Sequence, residues 1–523
     1  METPLTPLEF ARRARSLYPD RLAVVDSDLR LTYEQFFDRC DRWSSVLASW
    51  NVVEHDRVAY IAPNTHAQLE SFYAVPQLGA TLVPLNYRLT ADDFEYMINH
   101  CGAKVVCVHG DYLETVNKIR GRCTAVEHWV ALEGEFPDFA DYETLLAAQS
   151  PQFSRPAINE RDIITINYTS GTTSRPKGVM ITHRNAWTNS VGTLLHHPMT
   201  PSERYLWTLP MFHANGWTFT WTITAIGGVH VCLRKVAPPE IFERIKTEAI
   251  TALCCAPTVL ISIANASEEL RAGVPRGVRV LTAGAAPAAS TIERIEDELG
   301  WTVTQVYGLT ETAPFITICE PREEHASLSP GERATIKARQ GVELVTSGEL
   351  RVVDEAMHDV PRDGATIGEI VVRGNVVMAG YYQDPAASEL AFAGGFFHTG
   401  DSAVMHPDGY VEIRDRLKDV IISGGENISS IEVEAALLRH PAIQEIAIVG
   451  LPHEKWGEAP YAFVVLKPGA SATEAELRQF ARDHLAHFKA PAGVTFVTEL
   501  PKTATGKIQK FVLRGNKSAV TRQ

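Results

Sequence analysis

From about residue 55 onward, short apolar runs alternate with amphipathic stretches of helical length. Val58 to Ile61, Lys104 to Val108, Ile163 to Ile166, Val229 to Leu233 and Val278 to Leu281 have strand length and few polar positions, as buried strands do. Periodic segments such as Pro239 to Glu248 and Pro287 to Leu299 stand between them, and their spacing predicts helices. Alternation of this kind implies an α/β architecture with largely parallel sheets. Near residue 345 the period falls to two. Glu349 to Val353, Glu369 to Arg373 and Tyr410 to Ile413 alternate apolar and polar positions between Gly, Pro and Asp turns, which predicts a smaller antiparallel, β-barrel-like unit. A third texture begins after Asp415-Arg416-Leu417-Lys418-Asp419. A helix over Ser430 to Arg439, strands over Ile443 to Val449 and Tyr461 to Leu466, a helix over Thr473 to Leu485 and a lysine-rich end make a small α+β unit. The expected division is therefore 1–417 and 418–523.

Composition narrows the class without changing this outline. A chain of 523 residues with 45% hydrophobic and 21% charged content reads as a globular protein of at least two domains. No run of about 18 apolar residues occurs and Met1 to Pro7 lacks a basic, then apolar, leader pattern, so no transmembrane segment and a cytoplasmic location are expected. The eight cysteines, at 40, 101, 107, 123, 232, 254, 255 and 319, form no Cys-x-x-Cys pair, which disfavours a zinc site or disulfide framework. Cys254 and Cys255 read as strand packing. A net charge of −14 argues against nucleic acid as a partner, yet leaves small anions open because local donors decide such sites.

One such place follows the Ile163 to Ile166 run. Tyr168-Thr-Ser-Gly-Thr-Thr-Ser-Arg-Pro-Lys-Gly178 offers backbone N–H groups freed by Gly171, hydroxyls of Thr169, Ser170, Thr172 and Thr173, and the charge of Lys177, the components of a polyphosphate cradle. It is not a Walker A loop, because Pro176 precedes the lysine and Gly178 to Ile181 reads as extended chain. Gln305-Val306-Tyr307-Gly308-Leu309-Thr310-Glu311 places an aromatic face, a hydroxyl and a carboxylate on one turn, suited to a purine and a hard cation. Asp401 in His398-Thr-Gly-Asp401 suits two ribose hydroxyls, and Arg416 could share that work or pair with a phosphate.

In this order and spacing the motifs resemble the adenylate-forming superfamily of acyl-CoA synthetases, luciferases and peptide-synthetase adenylation domains, over nearly the whole chain. Tyr168 to Gly178 is similar to the family's phosphate loop, with Ser174 where glycine is common. The resemblance implies ATP, Mg2+ and coenzyme A as cofactors and carboxylic acid activation as the reaction. By the same match, Gly284, Ala285, Ala286, Gln305, Val306, Tyr307 and Gly308 would hold adenine. Thr310 and Glu311 would contact phosphate and magnesium, with Thr172 a second metal candidate, and Asp401 and Arg416 would anchor the ribose. Lys418 stands at the family's hinge. Lys507 in Pro501 to Ile508 matches the lysine that bridges carboxylate and α-phosphate. Gly424, Gly425 and Glu426 resemble the loop brought in for thioester formation after the small domain turns.

The acid itself is addressed by Pro210-Met-Phe-His-Ala-Asn-Gly-Trp217. Amino-acid-activating relatives usually carry an aspartate near here, and Phe212 to Asn215 has no carboxylate, so an uncharged acyl chain is favoured. His213 is a catalytic and carboxylate-positioning candidate, with a structural histidine as the other reading. Trp217 resembles the gating tryptophan of some fatty acyl-CoA synthetases, and ordinary core packing is its alternative. Asn215, Ala283, Gly308 and Leu309 complete the acyl set. Fatty acids of short to long chain lead, with an aryl-acid CoA ligase or an enzyme loading a carrier protein as alternatives. A luciferase-like oxygenase, a non-catalytic nucleotide binder and a membrane transporter are disfavoured. Relatives of this kind are often dimeric, so a homodimer is an expectation of the resemblance alone.

Overall fold

Thr32 ends a strand and begins a helix, and its chemistry explains both. Its hydroxyl accepts the Gln35 N–H while the Gln35 side chain returns to the Thr32 N–H, a capping box that satisfies two otherwise orphaned donors. The helix so started, Tyr33–Ser49, buries Phe36, Phe37, Cys40, Trp43 and Leu47. Thr90 and Thr182 cap Ala91–Cys101 and His183–His196 in the same way. The computed structural model describes residues 1–169, 175–284, 287–416, 419–423, 426–453, 455–502 and 508–515.

Two large mixed sheets organise the first part. One runs in the order Val342–Glu343, Phe315–Ile318, Thr302–Gly308, Arg279–Thr282, Ala252–Cys255, Arg204–Leu206, Val229–Val231, Leu22–Asp26 and Leu29–Thr32. The other runs Gly380–Tyr381, Lys177–Thr182, Ile163–Thr169, Thr81–Leu85, Arg57–Ile61, Val105–Val108, His128–Ala131 and Ala140–Asp141. Their central pairs are parallel, and both faces are covered, as parallel sheets require. Val24, Cys254, Val58, Tyr60 and Leu82 point into one shared core with Phe36, Trp43, Phe72 and Trp221. Their neighbours Val25, Leu253 and Cys255 face a second core, and Ala59, Ile61 and Val83 a third. This period-two split explains why the apolar runs are unbroken.

The sheets are also tied by charge. Arg39 pairs with Glu70 and Glu143, His66 with Asp26, and Arg234 with Asp26 and Glu133, at 2.6–3.3 Å. Burial pushes the His66 imidazole down, yet its hydrogen bonds to Asp26 and Glu143 outweigh that and hold it up at about 9. For Asp26, burial acts upward and loses to His66, leaving the carboxyl at about 2.

The unit expected from residue 345 is a four-stranded antiparallel sheet, Glu349–Val353, Gly368–Arg373, Phe397–Met405 and Val411–Arg416. Among the described residues its two outer strands do not pair, so it is an open sheet and not a closed barrel. Beyond it a last sheet joins Glu426–Ile428, Ile421–Ser423, Gly457–Leu466 and Ile443–His453, with Gly493–Phe496 parallel to Gly457–Leu466. Helices Ser430–Leu437 and Glu474–His484 cover it around Ile421, Val433, Ile448 and Leu477. The architecture is a large α/β body with an antiparallel sheet, followed by a small α+β unit.

Candidate functional site

Ile163–Thr169 and Lys177–Thr182 are antiparallel neighbours, with Thr169 opposite Lys177. The proposed phosphate loop thus connects the second and third strands of its sheet, counted from Gly380–Tyr381 at the edge. Ser170, Gly171, Thr172 and Thr173 lie outside the described residues. Lys177 stands at the exit, its Nζ 3.8 Å from Asp384 and 4.8 Å from the centre of the Tyr381 ring. Both carboxylate and lysine are partly exposed, so the pair leaves Lys177 available to another anion.

Tyr381 connects this lysine to the second motif. The short strand Gly380–Tyr381 docks on Lys177–Thr182, and the Tyr381 hydroxyl donates to Glu311 Oε1 at 3.0 Å. Burial pushes the Glu311 carboxyl up, opposed by a backbone hydrogen bond, by Tyr381 and by Arg416. Among the described residues no three metal-ligating side chains cluster. A desolvated carboxylate with the Tyr381 hydroxyl beside it and Asp401 within electrostatic reach fits Mg2+, which takes one or two carboxylates together with substrate phosphates. Sequence reasoning missed Tyr381, whose only signal was an aromatic after Gly380.

Thr302–Gly308 carries Gln305, Val306 and Tyr307 to the Thr310–Thr312 turn that contains Glu311. Gly308 is required there, because a Cβ would fall 1.8 Å from the Pro314 carbonyl oxygen. The turn is fixed by Leu309 N–H donating to Pro314 O at 3.1 Å and by Met378 N–H donating to Glu311 O at 2.8 Å. Gly284, with φ +93°, ends the neighbouring strand's loop segment. Ala285 and Ala286 lie outside the described residues.

Tyr307, Asp401 and Arg416 meet. The buried Tyr307 hydroxyl donates to Asp401 Oδ2 at 2.8 Å, and Arg416 Nε lies 3.2 Å from Asp401 Oδ1. The antiparallel register places Asp401 directly opposite Arg416, so their encounter is a consequence of strand pairing. Burial opposes the Arg416 charge, but Asp401, then Tyr307 and Glu311, hold its pKa above the ordinary value. The next residue back, Asp415, faces the other way. Its Oδ2 accepts the Ser430 N–H at 2.7 Å and hydroxyl at 2.6 Å. Lys510 joins them, donating to Ser430 Oγ and pairing with Glu434 at 2.8 Å. Lys418, Gly424, Gly425 and Lys507 lie outside the described residues, and Glu426 opens the strand Glu426–Ile428.

The acyl candidates sit on an unusual turn. His213 precedes Ala214, Asn215, Gly216, Trp217 and Thr218, all at positive φ, from +36° to +68°. Glycine and asparagine tolerate this region, whereas Ala, Trp and Thr cost on the order of 1–2 kcal/mol each. Gly216 has a second reason to be glycine, since a Cβ would meet the Trp207 ring at 2.4 Å. Trp217 is buried edge-on against Phe315 at 5.7 Å. Phe315 is the register partner of Gly308, and Ala283, Val306 and Trp217 share one apolar cluster with Leu309 packed on it. Phe315 thus stands between Trp217 of the acyl set and Gly308 of the adenine set. Asn215, the other acyl candidate on this turn, has a buried side chain that donates to Thr165 Oγ1 at 2.8 Å and accepts from Asn167 Nδ2 at 3.1 Å.

Comparison with known proteins places this geometry. Residues 10–382 match the AMP-binding enzyme family and residues 432–507 the AMP-binding enzyme C-terminal domain. The chain is 40% identical to a peroxisomal trans-cinnamate:CoA ligase of Petunia hybrida, covering 98% of this chain and 94% of that one. It is 42% identical to 4-hydroxybutyrate–CoA ligase 2 of Metallosphaera sedula, covering 98% and 95%. Among solved structures it resembles the anthranilate CoA ligase AuaEII in complex with anthranoyl-AMP, with TM-score 0.89, 25% identity and 99% of each chain covered. ATP-bound MatB from Rhodopseudomonas palustris superposes with TM-score 0.86 at 27% identity, covering 99% of this chain and 100% of that one. No helix among the described residues is long and apolar enough to cross a membrane. The chain belongs to the AMP-binding enzyme family, as an adenylate-forming acid–thiol ligase of the CoA-ligase branch.

Proposed function

We propose that the protein joins an uncharged carboxylic acid to ATP as an acyl-adenylate, releasing pyrophosphate, and then passes the acyl group to coenzyme A with release of AMP. The observation that carries this reading is that Tyr307, which holds Asp401 beside Arg416, precedes Gly308, the register partner of Phe315, whose ring packs edge-on against Trp217. One side suits a ribose and the other an apolar acid. Thr169 to Lys177 would hold the β- and γ-phosphates, and Glu311 a magnesium ion that neutralises phosphate charge when bound. Lys507 would hold the carboxylate in line with the α-phosphorus and stabilise the negative charge that grows there. The mixed anhydride is sensitive to water, so the small unit, proposed to begin at Lys418, would close the site and then turn to present Gly424, Gly425 and Glu426.

A fatty acid is the leading substrate because no carboxylate lies in Phe212 to Trp217 to pair with an amino group. An aryl acid is the second reading, favoured by relatives that act on cinnamate and anthranilate. ATP–pyrophosphate exchange across acids from acetate to palmitate and across benzoates, followed by thioester detection with free coenzyme A, tests both. Acid-dependent exchange with aliphatic acids is expected. A flat profile refutes the activity, and exchange confined to aryl acids replaces the first substrate class with the second.

A further inference from the structure

The Ala214–Thr218 turn is held by a closed polar ring. Asn215 Nδ2 donates to Thr165 Oγ1 at 2.8 Å, Thr165 Oγ1 donates to Asn167 Oδ1 at 2.8 Å, and Asn167 Nδ2 donates to Asn215 Oδ1 at 3.1 Å. Asn167 Nδ2 also donates to the Phe212 carbonyl at 3.0 Å, next to His213. All three side chains are at most 2% exposed. A buried ring in which each donor meets an acceptor is rigid and specific, because breaking any member strands the others.

Where the ring is anchored matters more than its rigidity. Thr165 and Asn167 lie on Ile163–Thr169, and the period-two alternation of a strand puts Thr165, Asn167 and Thr169 on one face. Thr169 is the last described residue before the loop proposed to hold the phosphates. On the other side the turn carries His213 and Trp217. One strand thus supports both the nucleotide loop and the acid pocket, and the ring is the side-chain connection between them.

We infer that Thr165, Asn167 and Asn215 are positioning residues that set where the acid lies relative to ATP, an inference that rests on the proposed acid-activating function. They touch neither reactant. They hold five residues in a backbone conformation that three of them disfavour, and so fix the direction of His213 and Trp217. A change in the ring would move the acid against a stationary nucleotide, and displacement of a reacting group by about 1 Å can cost a hundredfold in rate.

Asn215→Gly is the informative variant, because glycine accepts the left-handed backbone without cost while deleting the ring. Thr165→Val removes the ring's central hydroxyl at nearly constant shape, and Thr165→Ser keeps the hydroxyl. Each full-length variant is assayed by ATP–pyrophosphate exchange against a series of acids, with KM for acid, KM for ATP, kcat and Tm measured together. Asn215→Gly and Thr165→Val should raise the acid KM and lower kcat by roughly tenfold or more, flatten the preference among acids and leave the ATP KM within about twofold. Thr165→Ser should restore the wild-type values. Unchanged acid parameters, or KM values for acid and ATP that rise together, overturn the inference while the wild-type exchange keeps the function intact. Absence of acid-dependent exchange in the wild type overturns the function and the inference with it.

Discussion

Replacing Asp401 by Asn keeps the shape of the side chain and removes its charge, which separates its two contributions. The gross attraction between Asp401 and Arg416 at 3.2 Å is about 5 kcal/mol at an effective dielectric of 20. The Arg416 side chain is 31% exposed and recovers hydration when the carboxylate is lost, so the net cost is closer to 1–2 kcal/mol. The Tyr307 hydrogen bond falls from a charged to a neutral acceptor, losing about another 1 kcal/mol. A Tm lower by roughly 5 °C is therefore expected, given about 2 °C per kcal/mol in a domain of this size. The catalytic consequence is larger. If the carboxylate receives both ribose hydroxyls, losing two charge-assisted hydrogen bonds should raise the ATP KM by roughly 10- to 100-fold, with the acid KM nearly constant. The decisive assay compares ATP with its 2′-deoxy and 3′-deoxy analogues in pyrophosphate exchange. The wild type should discriminate against both analogues, and Asp401→Asn should lose most of that discrimination. The same discrimination in both proteins, alongside the lower Tm, would refute the ribose assignment and leave Asp401 a structural partner of Arg416 and Tyr307.

Lys507→Ala should abolish adenylate formation and leave thioester formation from a supplied acyl-adenylate largely intact, and equal loss of both half-reactions would sink this division of labour. Gly308→Ala must move the Pro314 carbonyl or its own strand away from a 1.8 Å approach, so a kcat loss of about a hundredfold and a lower Tm are expected; wild-type exchange kinetics would contradict the packing. The His66 pKa is raised to about 9 in the fold from about 6.5 unfolded. Its contribution, up to about 3 kcal/mol, is full below pH 6.5 and is lost as the pH rises through 9. Asp26, depressed to about 2, contributes above about pH 4 and fails only as the pH falls toward 2. Thermal melts from pH 6 to 10 should therefore show a steeper alkaline decline in the wild type than in His66→Gln; parallel profiles count against the ion pair.

What the sequence revealed depended on how local the cause was. The strands flanking Asp401 and Arg416 are separated by Pro407-Asp408-Gly409, a turn readable from residue types, and the cross-strand pair follows from it. The buried strands were readable because both of their faces meet apolar cores. Tyr381 was not, since its partners Lys177 and Glu311 meet it only after a two-residue strand docks on a distant sheet edge. The left-handed turn was hidden for the opposite reason. Ala214, Trp217 and Thr218 argue locally against positive φ, and tertiary contacts, the ring from Thr165 and Asn167 among them, overrule them. The same ring engages the Asn215 side chain, whose place between His213 and Trp217 had suggested only an acid contact.

The alternation at the end of Val411–Arg416 makes residue count a functional variable. Arg416 faces Asp401, the side proposed to hold the nucleotide, because it is the odd neighbour of Asp415, whose carboxylate holds Ser430 and, through it, Lys510. A single inserted or deleted residue in this strand would exchange their faces, leaving a buried acid against Asp401 and an arginine against a lysine. Two residues would restore the phase. Chimeras that trade the small unit between relatives should therefore be cut after Arg416, and any change in strand length before it kept even.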